Sequence, residues 1–392
     1  MTSLVVNQTN ALSNMLTSQS SSSRESASTG SKWRVLVYDV RSRSIISPLF
    51  TVPTLHEKGV TLHMLIDSKR EAIPDVPAIY FCRPTEANID IIAGDIISGL
   101  YSSFRLHFTT KLSRELMERL AGKLVKGNAV GLVEGIWDEF CDFVSLERGV
   151  FSLNEPGAYA LYNSPSTPEA AMNRLIDGIA LGLFSVVCTW GKVPIIRCKG
   201  GGIAEAVARK LSSLIVENPI LNDLKASREA NANNNNSSNN YNYNNSGNNG
   251  IHSRRPLMVI ADRNDDLTPL LAHSSTYQAL LSDLLPHTNN KVVCENDGKS
   301  QTFYLDPDKD PFYKENKFRS FPEAIESNGE ELKNITEKEA EVRAKAGGAG
   351  ATGETVVTSM DENESKNALS SAVESLPALL ERKKQVRESK TN

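Results

Sequence analysis

The sequence predicts an α/β protein built on a mostly parallel sheet, and three observations carry that prediction. Short apolar runs recur between residues 33 and 108. Between them lie stretches whose apolar residues fall at three- and four-residue spacing. Glycine- and proline-containing breaks separate the two kinds of segment. Strands that alternate with amphipathic helices pair in parallel, with helices covering both sheet faces.

The first strand is "WRVLVYDV", Trp33 to Val40, a continuous apolar run of the buried type. "VTLHMLI" (Val60 to Ile66) and "AIYFC" (Ala78 to Cys82) repeat it. In "TEANIDIIAGDIISGL", Thr85 is placed to cap a helix whose Ile89, Ile92, Ile96 and Leu100 share one face. "SFRLHF" reads as a further strand and "LSRELMERLAGKLV" as a further helix. Residues 1–31, rich in Ser, Asn and Thr, read as a disordered tail. The first domain is therefore set at 32–150 and a second segment at 151–285. That segment holds the helix "MNRLIDGIALGLFSVVCTW", the strand "PIIRC", the turn "KGGG", the helix "IAEAVARKLSSLIVE" and the strand "PLMVIAD". Its tract Asn231–Gly250 has twelve asparagines in twenty residues and reads as a flexible loop. Residues 286–392 form the last segment. It contains a hairpin around Asp297-Gly298, a charged helix from "FPEAIESN", a flexible break at "AGGAGATGE" and an amphipathic helix around Leu369, Val373, Leu376, Leu379 and Leu380.

A net charge of -4 over 392 residues gives no basic field for nucleic acid. Five scattered cysteines without CxxC spacing fit a reducing cytosol. The N-terminus carries no secretory signal pattern. "GIALGLFSVVCTWG", Gly178 to Gly191, falls short of the roughly 20 apolar residues of a membrane span and reads as a buried helix.

The chemical candidates are few. "DRNDDL" groups Asp262, Asp265 and Asp266 but lacks the glycine of a calcium loop. A magnesium-phosphate role for Asp262, Asp265 and "KGGG" is conceivable at strand ends. The simpler reading is structural: Asp262 ends a strand, Arg263 pairs with carboxylates, and Asp266 or Thr268 caps the helix begun by Pro269. "KGGG" lacks both nucleotide-loop spacings. The six histidines have no ligand spacing, and His273 reads as a hydrogen-bonding framework group. Trp33, Trp137 and Trp190 read as core or groove residues. No catalytic, cofactor-binding or metal site is expected. The residues alone leave an interaction protein or a phosphate-handling enzyme.

"WRVLVYDVRSRSIISPLF", "GVTLHMLID", "DVPAIYFCRPTEANIDII" and "LIVENP…PLMVIADRNDDLTPLLAHSSTYQALLSDLL" resemble the SM (Sec/Munc) family of syntaxin-binding proteins. "PIIRCKGGGIAEAVARKL", "PDKDPFY" and "SAVESLPALLERKK" resemble its Sly branch. The resemblance implies an arch with a parallel-sheet first domain, a split α/β second domain and a mainly helical third. This chain would hold only the start of the third domain, making it a C-terminally truncated, incomplete arch. It implies a cytoplasmic monomer without cofactors that is not an enzyme. It would be peripherally associated with ER and Golgi membranes. There it would bind a syntaxin-type SNARE of the ER–Golgi pathway and its SNARE complex, and promote assembly in vesicle docking and fusion. A truncated, non-productive syntaxin-binding fragment is the alternative.

The resemblance further implies a syntaxin N-peptide pocket at Met117, Leu120, Ala121, Val133 and Ile136, on "LMERLAGKLV" and "LVEGIWDEFCDF". Both stretches are taken as helical, with Met117, Leu120 and Ala121 on one face. Spacing alone reads these residues as core. On the pocket reading, Leu120→Arg abolishes peptide binding while the domain stays folded.

Overall fold

The computed structural model describes residues 3–17, 33–218, 255–296, 299–308 and 310–347. The chain divides into two compact units, Met1–Asp266 and Leu267–Asn392. The Asn-rich tract, the Asp297-Gly298 turn, the glycine-rich break and the amphipathic stretch around Leu369–Leu380 lie outside the described residues.

The first unit is organised by a parallel sheet of β1 (Arg34–Tyr38), β2 (Val60–Leu65), β3 (Ala78–Cys82), β4 (Phe104–Phe108) and β5 (Val133–Asp138), in the order β2-β1-β3-β4-β5. The parallel sheet expected from the sequence is present. Its central strands are apolar on both faces because both faces are covered. Val35, Val37, Tyr80, Cys82, Phe104, Leu106 and Phe108 face α4 (Glu86–Ile97) and α5 (Arg114–Lys126), which supply Ile89, Ile92, Ile96, Leu120 and Leu124. Leu36, Tyr38, Ile79 and Phe81 face α2 (Val40–Ile46) and α3 (Val52–Glu57).

The expected cap is made: Thr85 accepts from the Asn88 N–H. Ser113 likewise caps α5, accepting from the Leu116 N–H. Asp39 is a hub: its carboxylate accepts from the N–H groups of Ser42 (2.7 Å) and Arg83 (2.8 Å) and from Asn88 Nδ2 (2.9 Å). One buried side chain thereby ties the first turn of α2 to the end of β3 and the start of α4.

The reading of residues 1–31 as a disordered tail is corrected for α1, Leu4–Thr17. Leu12, Met15 and Leu16 are buried on the α2–α3 face of the sheet. Fully burying such a side chain stabilises by about 1.5–3 kcal/mol, which contributes to ordering this helix. Gln8 is buried too, because its Nε2 donates to the carbonyls of Phe143 (2.8 Å) and Cys141 (3.3 Å).

After β5 come the hairpin β6 (Val144–Glu147) and β7 (Val150–Ser152), then α6 (Ala158–Asn163) and α7 (Glu169–Trp190). By length and composition α7 could cross a membrane. It packs on α1 and on α8 (Ile203–Glu217), with Phe184 and Val187 buried against Leu211 and Ile215. Gly191 ends it at φ 65°, a left-handed position that favours glycine, and its N–H returns to the Val187 and Cys188 carbonyls. The strands β8 (Ile195–Cys198) and β9 (Leu257–Ile260) pair in parallel as a second, two-stranded sheet. On β9, Leu257 and Val259 are 58% and 65% exposed. They border an apolar groove of about 950 Å³ shared with Leu4, Val6, Leu183 and Trp190. Trp190 lines a groove as expected, whereas Trp33 is exposed, which corrects its reading as a core or groove residue.

In the second unit the hairpin is present, with Lys291–Asn296 and Lys299–Tyr304 paired antiparallel. Tyr277, Leu281, Phe312, Tyr313 and Ala324 form its small core, and Phe321–Gly347 is one long helix.

Candidate peptide-binding groove

The five proposed pocket residues lie on α5 and β5. The helix α5 is amphipathic, and its 100° step per residue sorts its flanks. Leu120 and Leu124 point into the core. Arg119 and Lys123 face α4. Arg119 meets Asp90 at 2.6 Å and Glu86 at 3.0 Å, and Lys123 meets Asp90 at 2.8 Å. These cations hold the Asp90 carboxyl well below the usual carboxylate range. By the helical step, Met117, Ala121 and Val125 occupy the opposite flank, toward β5. Burial of Leu120 and Leu124 sets the rotation of α5, and the α4 ion pairs line one side of it.

The second half of the pocket departs from expectation. "LVEGIW" is the strand β5 preceded by a short turn of helix at Val130–Leu132, so Val133 and Ile136 do not sit on a helix. Parallel pairing with β4 decides this, and β-branched and aromatic residues favour it. In a regular strand, residues three apart point to opposite faces. Here Phe104 pairs with Val133 and Arg105 with Gly135, which leaves Glu134 as an extra residue. This bulge lets both Val133 and Ile136 pack, half-buried, against the α4–α5 side of the core. Among the described residues β5 is the outer strand of its sheet.

Val133 and Ile136 thus pack against the core that holds Leu120, while Met117 and Ala121 lie on the flank of α5 away from α4. Met117 is 37% exposed and Ala121 is exposed, so both are accessible. Leu120 is not: it is 1% exposed and belongs to the core. An arginine at that position would enter the core, so Leu120→Arg cannot test binding in a folded domain. A substitution at Ala121 can.

The opposite face of β5 carries a group that the sequence did not reveal. Trp137 lies over Gly135, where an added Cβ would come within 2.4 Å of the indole. His107 stacks on Trp137 at 4.6 Å between ring centroids, and the Arg105 guanidinium sits 5.2 Å from the indole. His107 Nδ1 is 2.6 Å from Glu139, and its buried Nε2 has no hydrogen-bond partner. Burial pushes the His107 pKa down despite Glu139. The unfolded chain therefore binds a proton here more readily than the fold does. Stability from this group is complete above the ordinary histidine value of about 6.5 and is lost as pH falls below it. Melting temperature is expected to fall between about pH 6.5 and 5, and His107→Gln should flatten that slope. An unchanged slope in the variant would show that another group titrates.

The acidic motif is structural in its contacts. Asp262 caps the single turn Arg263–Asp265, accepting from the Asn264 N–H at 2.9 Å and from the Tyr162 hydroxyl at 2.9 Å. Asp265 pairs with Lys199 at 2.6 Å, which brings the motif beside the "KGGG" turn. Two details are corrected. The paired cation is Lys199 and not Arg263, and the helix Thr268–Leu271 has Leu267 at its cap with no side-chain hydrogen bond. Position decides both: Lys199 leaves β8 alongside the end of β9, within reach of Asp265. His273 is hydrogen-bonded to Asp283 at 3.2 Å. Among the described residues no group of three or more His, Cys, Asp or Glu side chains is placed to hold a metal.

The chain was compared with known proteins. The Sec1 family model matches residues 34–388. The SEC1 family transport protein SLY1 of Oryza sativa is 37% identical over 354 residues, 90% of this chain and 53% of that protein. The human Sec1 family domain-containing protein 1 is 36% identical over 371 residues, 90% of this chain and 55% of its own length. The chain thus spans about half the length of the curated relatives it matches. Among solved structures, Sly1p in complex with an N-terminal peptide of Sed5p superposes with a TM-score of 0.67 at 30% identity. That match covers 97% of this chain and 60% of Sly1p. The Unc18–syntaxin 1 complex of Monosiga brevicollis shares the fold, with a TM-score of 0.67 at 21% identity. With the expected parallel sheet and a family match along nearly its whole length, this chain belongs to the Sec1 family, in its Sly1 branch.

Proposed function

We propose that this chain is a non-enzymatic SNARE-binding regulator of vesicle docking and membrane fusion in ER–Golgi transport. It holds the N-terminal peptide of a syntaxin-type SNARE in the groove of Met117, Ala121, Val133 and Ile136, over the floor of Leu120. The observation that carries this reading is the accessible apolar flank of α5 beside the outer strand β5. Sly1p, 30% identical to this chain, was crystallised with an N-terminal peptide of Sed5p, which supports a peptide as the ligand. A groove that takes apolar side chains from a short segment is a common recognition mode, and Met117 suits it by its flexibility. The reading includes a cytoplasmic monomer held peripherally at ER and Golgi membranes through SNAREs. It also includes three domains with boundaries at 32–150, 151–285 and 286–392.

Ala121→Arg tests it. The position is exposed and arginine favours helix, so the fold should keep its melting temperature. The long side chain would fill the groove. Calorimetric titration with the Sed5p N-terminal peptide should show wild-type binding and at least about a 30-fold loss in the variant, the equivalent of one excluded apolar anchor. Equal binding by both proteins moves the site elsewhere. No binding by the folded wild type removes the peptide as a ligand.

A further inference from the structure

We infer that a pocket at the carboxyl ends of β3 and β4 binds a small organic anion, an oxyanion head on an apolar body. The pocket has a volume of about 360 Å³. That lies within the roughly 300–1,000 Å³ of small-molecule sites. It belongs to the first unit and shares no residue with the proposed peptide groove, so it stands apart from the peptide reading.

The sheet order explains why space opens here. The connections leave β1 and β3 toward opposite faces, with α2 on one and α4 on the other. Such a reversal opens a crevice outside the carboxyl ends of the strands, the usual ligand position in open parallel sheets. At β1 the chain fills the crevice with its own carboxylate, Asp39, which takes the N–H groups of Ser42 and Arg83. Over Arg83–Thr85 after β3 and Thr110 after β4 the space is not filled, and α6 and α7 form its far wall.

The two walls differ. Leu161 of α6 and Ala171, Leu175 and Leu181 of α7 are apolar. Gly178 lies among them in the interior of α7, and a Cβ added there would meet nothing within 4 Å. Glycine disfavours a helix interior, yet its lack of a side chain here leaves room that a larger residue would take.

The polar wall carries donors. Its two carboxylates are already neutralised: Arg41 and Arg83 meet Asp142 at 2.7 and 3.2 Å, and Arg83 meets Glu155 at 2.9 Å. Arg174 of α7 adds a third guanidinium at the pocket, exposed and without an ion pair or hydrogen bond among the described residues. Thr110 lines the pocket at 6% exposure, and its hydroxyl has no hydrogen-bond partner among the described residues. The helix α4 starts at this wall, behind its cap Thr85, and brings the positive end of its dipole. A free guanidinium meets a carboxylate or a phosphate with two parallel hydrogen bonds, and a buried hydroxyl can add a third. The apolar wall then faces the body of the same ligand.

The test uses the full chain, with phenyl phosphate and benzoate as probes read by ligand-observed NMR. At least one is expected to bind with a Kd of about 1 mM, and the tighter of the two identifies the head group. Inorganic phosphate lacks the apolar body and should compete about tenfold more weakly. Arg174→Gln should weaken probe binding about tenfold, and Gly178→Met should abolish it by filling the pocket. Both variants should keep the wild-type melting temperature, because Arg174 has no partner to lose and methionine favours helix more than glycine does. No probe binding by the folded wild type overturns the site. Equal binding by wild type and Arg174→Gln, or by wild type and a folded Gly178→Met, overturns it too, since the probe then sits elsewhere. Inorganic phosphate as potent as phenyl phosphate overturns the ligand class. If Gly178→Met does not fold, Arg174→Gln and the phosphate competition decide alone.

Discussion

Leu120→Arg is expected to unfold the first unit, not to leave it folded and deaf to its ligand. Leu120 is 1% exposed and sits beneath α5, in the core that includes Phe104, Leu106 and Leu124. Losing a buried leucine alone costs about 2–5 kcal/mol. The guanidinium adds the cost of a buried charge without a partner, because the Asp90 and Glu86 carboxylates lie on the other flank and are occupied by Arg119 and Lys123. A total above about 4 kcal/mol removes much of the roughly 5–15 kcal/mol that holds a domain folded. Denaturant titration followed by circular dichroism should show a large midpoint loss or no cooperative transition. A wild-type midpoint would mean that α5 does not seat Leu120 in the core. Ala121→Arg, one residue on and 100° round the helix, should keep the wild-type midpoint. The two adjacent substitutions separate floor from rim.

Asp142→Ala is expected to be the second severe change. The Asp142 carboxylate is buried and receives two guanidinium groups, Arg41 at 2.7 Å and Arg83 at 3.2 Å. Arg83 also reaches Glu155 at 2.9 Å, and Arg41 donates to the Asn154 carbonyl at 3.0 Å. Arg41 leaves from α2 and Arg83 from the end of β3, so one carboxylate ties segments distant in sequence. Removing it leaves the largely buried Arg41 without its main partner, and breaking such a pair costs about 3–5 kcal/mol. Arg83 is about a third exposed and adds little, since solvent screens it. Asp90→Ala is the control: its pairs with Arg119 and Lys123 are exposed, so the midpoint should move little. A loss below about 1 kcal/mol in Asp142→Ala would place the network among surface ion pairs.

Much of the first sheet was legible because its determinants are local. "AIYFC" is apolar on both faces, "SFRLHF" alternates Phe104, Leu106 and Phe108 with Arg105 and His107, and β3 and β4 are buried throughout. Thr85 and Ser113 cap helices one residue ahead of their first turns. Asp262 is occupied largely by its own turn, which is why the structural reading of "DRNDDL" could be reached from pattern. The candidate site was only partly legible. Its residues came from a resemblance, and spacing could not tell rim from floor.

What the sequence determined by itself is the set of segments whose partners lie within a few residues: helix caps and apolar periodicity. The tertiary structure decided the rest, through contacts more than a hundred residues apart or across strands. Residues 4–17 look polar and unstructured until Gln8 meets the carbonyls of Cys141 and Phe143. Val133 and Ile136, three apart, suit a helix until pairing with β4 makes a bulged strand of them. Met117, Leu120 and Ala121 are equivalent in an isolated helix. Packing of Leu120 and Leu124 in the core with Phe104, Leu106 and the α4 isoleucines sets the rotation of α5, which buries Leu120 and leaves Met117 and Ala121 exposed. The physical reason is common to all three. Periodicity states which residues share a face, but only the neighbour that packs against that face determines whether it becomes core or surface.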